Sequence, residues 1–486
     1  MLAGHDPLHD LTVDTPFSLV IFGASGHLAK LKLYPALYVL ALKKRLPKDY
    51  AVVGYARTAM DDAGFRAMVE ASIRTAMPAV TEKALAEFLT HVRYVQGAYD
   101  ADDGFVRLGA TLDGLERGWG DGIVRMAYLS IPPTVFSDVV ERLCAGGVHK
   151  KGKPFRCIVE KPVGKDLVSA EKVWATLTHC FAEEEIFLLD HYIGKEAVRN
   201  IYYLRYANPV LERVLKNTLI QNVEIVADEI AGLDGRAGYF EGIGMLRDWV
   251  QSHLLQIASL LTMRLKGEDE LRSSRLNALS QFYLPPAATL DDIVLQGQYA
   301  AGTSGAAYRA EDGVAKDSRT NTYIALKLMT RMSRFEGVPF YFHCGKRLDK
   351  KETRISIRFQ EPHAVGDGAC ANRLDIILLG EAGMRLHLQT KVGGSEPRFR
   401  PLVMEDPLVC VGDCLPEHGL LILEAIRGKQ QWFLTIDEVR SAWRLIDPVQ
   451  AHLERPESPL ALYPAGAERP PEADAWIAKQ GHRWYA

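Results

Sequence analysis

The chain has 486 residues, a length that exceeds one ordinary hydrophobic core and predicts two domains. Hydrophobic residues make up 48% and charged residues 24% of the chain, and the formal net charge of -3 excludes the strongly basic surface that gathers nucleic acid. The apolar runs are too short to span a bilayer, and the N-terminus carries Asp6, Asp10 and Asp14 in place of a signal peptide. We therefore expect a cytoplasmic protein with a small-molecule ligand and no membrane partner.

The seven cysteines are odd in number and scattered, and none belongs to a CxxC pair. Only Cys410 and Cys414 are close to each other in sequence. This spacing predicts reduced, structural thiols and no metal site.

Between Phe17 and about Asp190, short apolar runs alternate with longer helical patterns, which is typical of βαβ units and a parallel sheet. The candidate strands are Ser18–Phe22, Tyr50–Val53, Met126–Leu129, Cys157–Val159 and Ile186–Leu189. Glycine, charged or proline residues follow these runs, namely Gly23 to Gly26, Arg57, Pro132-Pro133, Lys161-Pro162 and Asp190-His191. Because ligands bind beyond the carboxyl ends of parallel strands, these positions predict one binding crevice.

Beyond about Tyr192 the pattern changes to longer alternating segments, which predict an antiparallel sheet with helices on one face. The predicted strands include Asn222–Ala227, Thr353–Phe359 and Asp375–Leu379, and the predicted helices are Met245–Met263, Glu417–Arg427 and Ile436–Leu445. Loops are expected over Gly267–Leu290 and Gly302–Asp317, and an irregular tail over Arg455–Pro471. The expected division is a Rossmann-like nucleotide-binding domain, residues 1–190, and a β+α domain, residues 191–486.

The first predicted strand leads through a turn of small residues into a helix, so the backbone can approach a pyrophosphate at a helix N-terminus. The candidate cofactor-binding residues here are Gly23, Ala24, Ser25, Gly26, His27 and Leu28, with Pro132 after a later strand. The middle glycine of GxGxxG is absent, so an ordinary strand-to-helix turn is an open alternative.

The second predicted strand ends in Gly54-Tyr55-Ala56-Arg57-Thr58, without the carboxylate that usually holds the ribose 2′-hydroxyl of NAD. Arg57 and Thr58 suit a 2′-phosphate and predict NADP as cofactor, with NAD as a secondary acceptor. Alternatively, Arg57 is a solvated loop residue. Asp61 and Asp62 could reach a ribose, although their place before a helical pattern favours N-terminal capping.

The chain resembles the glucose-6-phosphate dehydrogenase family over nearly its whole length. The resemblance rests on these stretches in family order: GASGHLAKLKLYPAL, GYAR, IPPTVF, EKPVGKDL, DHYIGKEAVRN, GYFEGIGMLRDWVQSHLLQ, AIRG, DEVRSAW, YPAG and EAD. It implies a dinucleotide-binding domain, a large antiparallel β+α domain, and a homodimer or homotetramer built through the latter. It further implies oxidation of D-glucose 6-phosphate at C1 to 6-phospho-D-glucono-1,5-lactone with hydride transfer to NADP, the first step of the oxidative pentose phosphate pathway.

Oxidation of a hemiacetal requires a base for the hydroxyl proton while a hydride leaves for the nicotinamide. His253 matches the general base of the family, and Asp190 matches the carboxylate that orients this base, as in other His–Asp pairs. Without the resemblance, a structural role for His253 and an N-cap role for Asp190 are open alternatives.

The resemblance also implies the groups that hold the substrate. His191, Tyr192 and Lys195 match phosphate ligands, although without the resemblance a core tyrosine and a solvated lysine are equally good interpretations. Lys161 matches a residue that contacts both substrate and cofactor, and Glu229 and Asp248 match carboxylates that accept hydrogen bonds from sugar hydroxyls. Lys346 and Lys351 match residues that contact the substrate, and Lys351 stands where the family has an arginine.

The chain departs from the family pattern at positions around the predicted site. His27 replaces an aspartate, Leu188 replaces an arginine, and Leu379 stands where a glutamine usually faces the substrate. Two alternatives follow: a related sugar-phosphate dehydrogenase that uses both NAD and NADP, or a catalytically idle homologue that binds NADP. Retention of the predicted base and its carboxylate argues against the idle homologue.

Overall fold

The computed structural model describes residues 12–233, 235, 237–362, 370–408 and 414–485. Asp6, Asp10 and Cys410, which entered the predictions above, lie outside the described residues. The chain forms two compact units, one of Met1–Lys195 with Cys410–Ile436 and one of Glu196–Val409 with Asp437–Ala486. The expected division at residue 190 kept the segment 410–436 with the second half of the chain, whereas this segment belongs to the first unit.

The strands are β1 Phe17–Phe22, β2 Tyr50–Ala56, β3 Val92–Gln96, β4 Val124–Leu129, β5 Phe155–Glu160, β6 Ile186–Leu189, β7 Ile220–Asp228, β8 Phe282–Tyr283, β9 Val294–Ala300, β10 Tyr323–Thr330, β11 Phe340–Gly345, β12 Glu352–Phe359, β13 Arg373–Leu379, β14 Gly383–Lys391, β15 Phe399–Pro407 and β16 Ala461–Pro464.

The α-helices are α1 Tyr34–Leu42, α2 Asp62–Ala76, α3 Glu82–Thr90, α4 Asp102–Leu115, α5 Phe136–Ala145, α6 Leu167–Cys180, α7 His191–Gly194, α8 Glu196–Ala207, α9 Pro209–Val214, α10 Ala237–Phe240, α11 Leu255–Thr262, α12 Leu271–Ser280, α13 Glu417–Ile426, α14 Ile436–Leu453 and α15 Pro471–Lys479. Two π-helical segments, Ala29–Leu33 and Leu246–Leu254, lead into α1 and α11. None of the described helices combines the length and the apolar composition that crossing a bilayer requires.

The first unit contains a six-stranded sheet in the order β3-β2-β1-β4-β5-β6, and every neighbouring pair is parallel. The predicted Rossmann-like fold is therefore confirmed. The central strands β1, β2 and β4 are buried throughout, which explains their continuous apolar sequences. The sequence analysis missed β3, because Arg93 and Gln96 interrupt this short strand at the sheet edge.

A segment from the C-terminal half completes the first unit. Helix α13 is buried from His418 to Ile426 and packs against α1 and α7. Beyond it, Leu434 pairs with Leu188 of β6, and the Phe433 and Phe187 rings lie 4.9 Å apart between their centroids. This segment thus covers the outer edge of the sheet at β6.

The second unit contains a ten-stranded sheet in the order β15-β14-β13-β12-β7-β11-β10-β9-β16, with β8 paired to β10. Most neighbours are antiparallel, as predicted, but β7–β11 and β9–β16 are parallel, so the sheet is mixed. The helix α12 lies where a loop was expected over Gly267–Leu290. Its buried face includes Ser274 and Arg275, and these polar residues hide the helical pattern in the sequence.

The expected irregular tail over Arg455–Pro471 contains β16, which pairs with β9. The expectation that all cysteines are reduced is also corrected, because a disulfide joins Cys144 of α5 to Cys180 of α6. These residues are 36 positions apart, so the sequence gives no sign of their proximity. Cys157 and Cys344 are free, buried thiols as predicted.

A buried ion pair connects α12 to α14 and yields a stability prediction. Arg275 Nε and Nη2 lie 2.9 and 3.1 Å from the carboxylate oxygens of Glu438, and both side chains are 0% exposed. We expect Arg275→Ala to lower the free energy of unfolding by about 3–5 kcal/mol, because it removes the cation from a buried carboxylate. Urea unfolding followed by circular dichroism measures the loss. Arg385→Ala, which removes a partly exposed pair with Glu405, is the control and should change the midpoint little. Equal losses of unfolding free energy in the two variants would show that burial does not make the Arg275–Glu438 pair more important for stability.

Candidate functional site

The turn after β1 brings backbone of the first unit into close contact. Gly23 has a φ of +79°, its N–H donates to Tyr55 O at 3.1 Å, and a Cβ at this position would lie 2.1 Å from Ser130 O. The N–H of Gly26 donates to Gly23 O at 2.8 Å, and the Tyr34 hydroxyl donates to Ala24 O at 2.6 Å. The turn therefore has the tight, side-chain-free geometry that a bound pyrophosphate requires.

The end of β2 lies beside this turn. The hydroxyls of Ser25 and Thr58 are 3.0 Å apart, and the Arg57 guanidinium lies 5.7 Å from the centroid of the Tyr99 ring. Arg57, Thr58, His27 and Pro132 are all exposed, so they are accessible to a ligand, and Leu28 is partly exposed.

The two aspartates that could have competed for a ribose are engaged elsewhere. Asp61 caps α2 by accepting a hydrogen bond from the N–H of Gly64 at 2.8 Å, which confirms the predicted capping role. Asp62 accepts a hydrogen bond from the N–H of Tyr94 at 2.7 Å and lies 3.6 Å from Arg66. Neither carboxylate is held toward the glycine turn by these contacts.

Asp190 follows β6 and begins α7. Its side chain accepts a hydrogen bond from the N–H of Tyr192 at 2.9 Å, so the N-cap alternative is confirmed. Asp190 is 1% exposed, and burial raises the pKa of its carboxyl, against the opposing charges of His191, Lys161 and Lys195. These charged groups therefore lie within electrostatic reach of Asp190.

The predicted phosphate ligands cluster along α7. The Lys195 ammonium lies 3.4 Å from the centroid of the Tyr192 ring, and the His191 and Tyr192 rings are 5.3 Å apart between centroids. The ring of His418, from α13, is stacked on His191 at 5.9 Å. This cluster presents cationic and hydroxyl groups at the carboxyl end of β6.

His418 itself belongs to a buried charge network. Its nitrogens lie 3.6 Å from Glu160 and 3.7 Å from Glu417, and Glu160 accepts a hydrogen bond from Tyr128. Burial opposes a charge on the ring, but the two carboxylates prevail and raise the pKa of His418 to about 9. The two carboxylates therefore favour the charged form of His418, which lies next to the predicted phosphate ligand His191.

In the second unit the carboxyl ends of two parallel strands bring Glu229 and Lys346 together. Asp228 of β7 is in register with Gly345 of β11, so the residues that follow them are neighbours. Lys346 Nζ donates to Glu229 Oε2 at 2.6 Å, and the indole N–H of Trp249 donates to the same oxygen at 3.2 Å. Lys346 is 3% exposed, whereas the side chain of Glu229 is 22% exposed, so the cation is buried and the carboxylate remains partly accessible.

The predicted base lies on the π-helical segment Leu246–Leu254. This segment bonds Leu255 N–H to Val250 O, the wider spacing that is frequent at functional sites. His253 is 2% exposed, and its ring packs edge-on against Trp249 at 5.5 Å between centroids and 80° between planes.

The predicted carboxylates of this unit share a neighbourhood. Burial raises the pKa of the Cys344 thiol of β11, and the charges of Asp228, Glu229 and Asp248 raise it further. Asp248 and Glu229 therefore lie around the same buried position. Lys351 is exposed at the start of β12 and forms no ion pair with a residue in the described part of the chain. The geometry does not bring Lys351 into the Glu229 cluster.

Trp249 and His418 were missed by the sequence analysis. Trp249 follows the predicted Asp248 and precedes His253 by one helical turn, so helical spacing could have placed it beside the base. Its contact with Glu229, on another element, has no sequence signal. His418 approaches His191 only through the return of α13 to the first unit, and no local pattern predicts this contact.

Comparisons with known proteins agree over the whole chain. Residues 20–200 match the NAD binding domain of glucose-6-phosphate dehydrogenase, and residues 202–485 match its C-terminal domain. The glucose-6-phosphate 1-dehydrogenase of Chlamydia pneumoniae is 36% identical with 96% of each chain covered, and that of Aspergillus niger is 33% identical over 99% of this chain and 94% of the relative. A solved glucose-6-phosphate dehydrogenase in complex with its substrate glucose-6-phosphate has a TM-score of 0.89 and 30% identity, covering 98% of this chain and 99% of that chain.

The charge network of His418 predicts a pH-dependent contribution to stability. Because the pKa rises from 6.5 to about 9 on folding, this contribution is complete below pH 6.5 and is lost as the pH rises through 9. We expect the unfolding free energy of the wild type to exceed that of His418→Gln by on the order of 3 kcal/mol at pH 6. This difference should shrink steadily toward pH 9. Urea unfolding across this range measures it.

His179→Gln, at an exposed position of α6 in the same unit, is the matched control for the His418 variant. Its stability relative to the wild type should not vary across the same range. A constant difference between the wild type and His418→Gln would show that folding does not change the pKa of His418.

Proposed function

Because this chain belongs to the glucose-6-phosphate dehydrogenase family, we propose that it oxidises D-glucose 6-phosphate at C1 to 6-phospho-D-glucono-1,5-lactone with NADP as hydride acceptor. The observation that carries the proposal is the cluster at the end of β6, where Lys195, Tyr192 and His191 adjoin the ring of His418. A phosphate dianion requires such a set of cationic and hydroxyl donors.

The tight turn at Gly23, where the Ser130 carbonyl leaves no room for a Cβ, and the exposed Arg57 and Thr58 beside it support a bound dinucleotide. In the proposal, the turn from Gly23 to Leu28 holds the pyrophosphate, with Pro132 and Lys161 as further contacts. Arg57 and Thr58 hold the 2′-phosphate. NADP, when bound, accepts the hydride that leaves C1 of the sugar.

His253 is the proposed general base that removes the C1 hydroxyl proton. Burial and the packing of Trp249 restrict its ring, as a positioned base requires. The role of Asp190 as the carboxylate that orients this base comes from the family resemblance. Its burial and its hydrogen bond from Tyr192 fix one conformer of its side chain and support that role.

Glu229 and Asp248 are the proposed acceptors for sugar hydroxyls, and Lys346 is proposed to act with them. The ion pair of Lys346 with Glu229 fixes the direction of the carboxylate, which supports a role in recognition. Lys351 remains a proposed substrate contact on the resemblance alone. Lys161 is proposed to bridge substrate and cofactor.

The same proposal assigns the protein to the first step of the oxidative pentose phosphate pathway in the cytoplasm. A homodimer or homotetramer through the β+α unit is part of it. The edge strand β15 supports such assembly, because Leu402, Val403 and Met404 are successive, large and exposed.

The cofactor assignment is tested by steady-state kinetics with glucose 6-phosphate and either NADP or NAD, followed by the absorbance of the reduced nicotinamide. We expect the wild type to favour NADP, and Arg57→Ala to lower kcat/KM with NADP roughly ten- to hundredfold while changing that with NAD little. Arg66→Ala, which removes another guanidinium of the first unit, is the control. A wild type that prefers NAD, or equal losses with both cofactors in Arg57→Ala, would refute the assignment.

The base assignment is tested with His253→Asn. We expect kcat to fall roughly 10²–10⁴-fold while the KM for glucose 6-phosphate stays close to that of the wild type, because the variant loses proton transfer but not the sugar contacts. His452→Asn, on α14 where the ring pairs with Asp291 at 2.7 Å, is the control and should remain fully active. Near-normal turnover of His253→Asn would show that another group is the base.

A further inference from the structure

One oxygen of the Glu229 carboxylate receives two donors from different elements. Lys346 Nζ donates to Oε2 at 2.6 Å from the end of β11, and Trp249 Nε1 donates to it at 3.2 Å from the π-helical segment. Among the residues that the structure describes, no donor is bonded to Oε1. The two donors therefore fix the rotation of the carboxylate and leave its other oxygen available for a ligand hydroxyl.

The Trp249 ring also contacts the predicted base. It packs edge-on against His253, with 5.5 Å between centroids and 80° between planes. Both side chains are buried, at 7% and 2% exposure. An edge-to-face contact restricts the rotation of the imidazole, as a positioned base requires.

A buried tryptophan usually has a partner for its indole N–H, and a backbone carbonyl is sufficient for this purpose. Trp484 of the same unit has such a partner, Ala473 O at 3.0 Å. Trp249 instead donates to a carboxylate that a buried lysine already holds. This choice of acceptor, together with the contact to His253, is not explained by filling the core.

We propose that Trp249 is a positioning residue that orients both the sugar-binding carboxylate of Glu229 and the ring of His253. The inference rests on the proposed function, in which Glu229 accepts a hydrogen bond from the sugar and His253 removes the proton. The indole N–H acts on substrate binding through Glu229. The aromatic ring acts on proton transfer through His253, so the two contributions separate by substitution.

Trp249→Phe removes the N–H and keeps an aromatic ring beside His253. We expect the KM for glucose 6-phosphate to rise about tenfold, the typical effect of losing a hydrogen bond to a charged group, with kcat and the pH profile of kcat nearly unchanged. Trp249→Leu also removes the ring. In addition to the rise in KM, we expect kcat of this variant to fall about tenfold and the pH profile of kcat to shift. Trp484→Phe, which loses an equivalent indole hydrogen bond away from Glu229, should alter none of these values.

A double-mutant cycle decides whether Trp249 acts through Glu229. In a Glu229→Ala background, Trp249→Phe should cause no further rise in KM. If its effect there equals its effect in the wild type, Trp249 does not position Glu229 and the inference is overturned, although an active wild type leaves the proposed function intact. A wild type that does not reduce NADP with glucose 6-phosphate overturns the proposed function and the inference together.

A spectroscopic measurement tests the same contact if Trp249→Phe does not fold. The chain has seven tryptophans, and a hydrogen–nitrogen correlation spectrum of protein labelled at the indole nitrogens reports on each N–H. We expect one indole resonance to move clearly in Glu229→Gln, because the acceptor loses its charge. If all indole resonances keep their positions, Trp249 does not donate to Glu229 and the inference is overturned.

Discussion

The approach of the turn after β1 to the end of β4 is the contact on which the nucleotide end of the first unit depends. A Cβ at Gly23 would lie 2.1 Å from Ser130 O, so the chain must leave β1 with a positive φ and without a side chain. The helix that follows then begins at the carboxyl ends of the parallel strands, and the Ser25 hydroxyl lies 3.0 Å from that of Thr58. Backbone groups make this geometry, and the His27 side chain, which stands where the resembled family usually has an aspartate, is exposed.

In the second unit, a pair of parallel strands likewise brings candidate site residues together. The register of β7 with β11 places Glu229 beside Lys346, although more than a hundred residues separate them in sequence. Burying such a pair costs hydration on both sides, and the cost is offset only where further hydrogen bonds complete the geometry. Trp249 supplies one of these from a π-helical segment that also carries His253. Trp249 therefore links the proposed sugar-binding carboxylate to the proposed base through local packing.

Much of the fold could be predicted because its signals are local, whereas the roles of His253, Glu229, Asp248 and Lys346 were implied only by the family resemblance. The glycine turn, the end of β2 and the segment after β6 each lie within a few residues of a strong apolar strand, so strand ends identified them. Contacts between distant elements had no such signal: His418 reaches His191 only through the returning α13, and Trp249 meets Glu229 only through the sheet register. The helix α12 was hidden for another reason, since Arg275 is buried in an ion pair and disrupts the apolar pattern.

The return of residues 410–436 to the first unit has a consequence for biosynthesis. During translation, β6 emerges long before the segment that covers it, because residues 196–409 must be made first, which takes roughly 10–40 s. Throughout this interval Phe187 lacks the ring of Phe433, and the main chain of Leu188 lacks its partner at Leu434. The nascent chain thus exposes an apolar strand edge of the kind that chaperones bind and that neighbouring chains can pair with. An N-terminal fragment that ends near Lys195 would keep this edge exposed permanently, so the fold of the first unit is completed only when most of the protein has been synthesised.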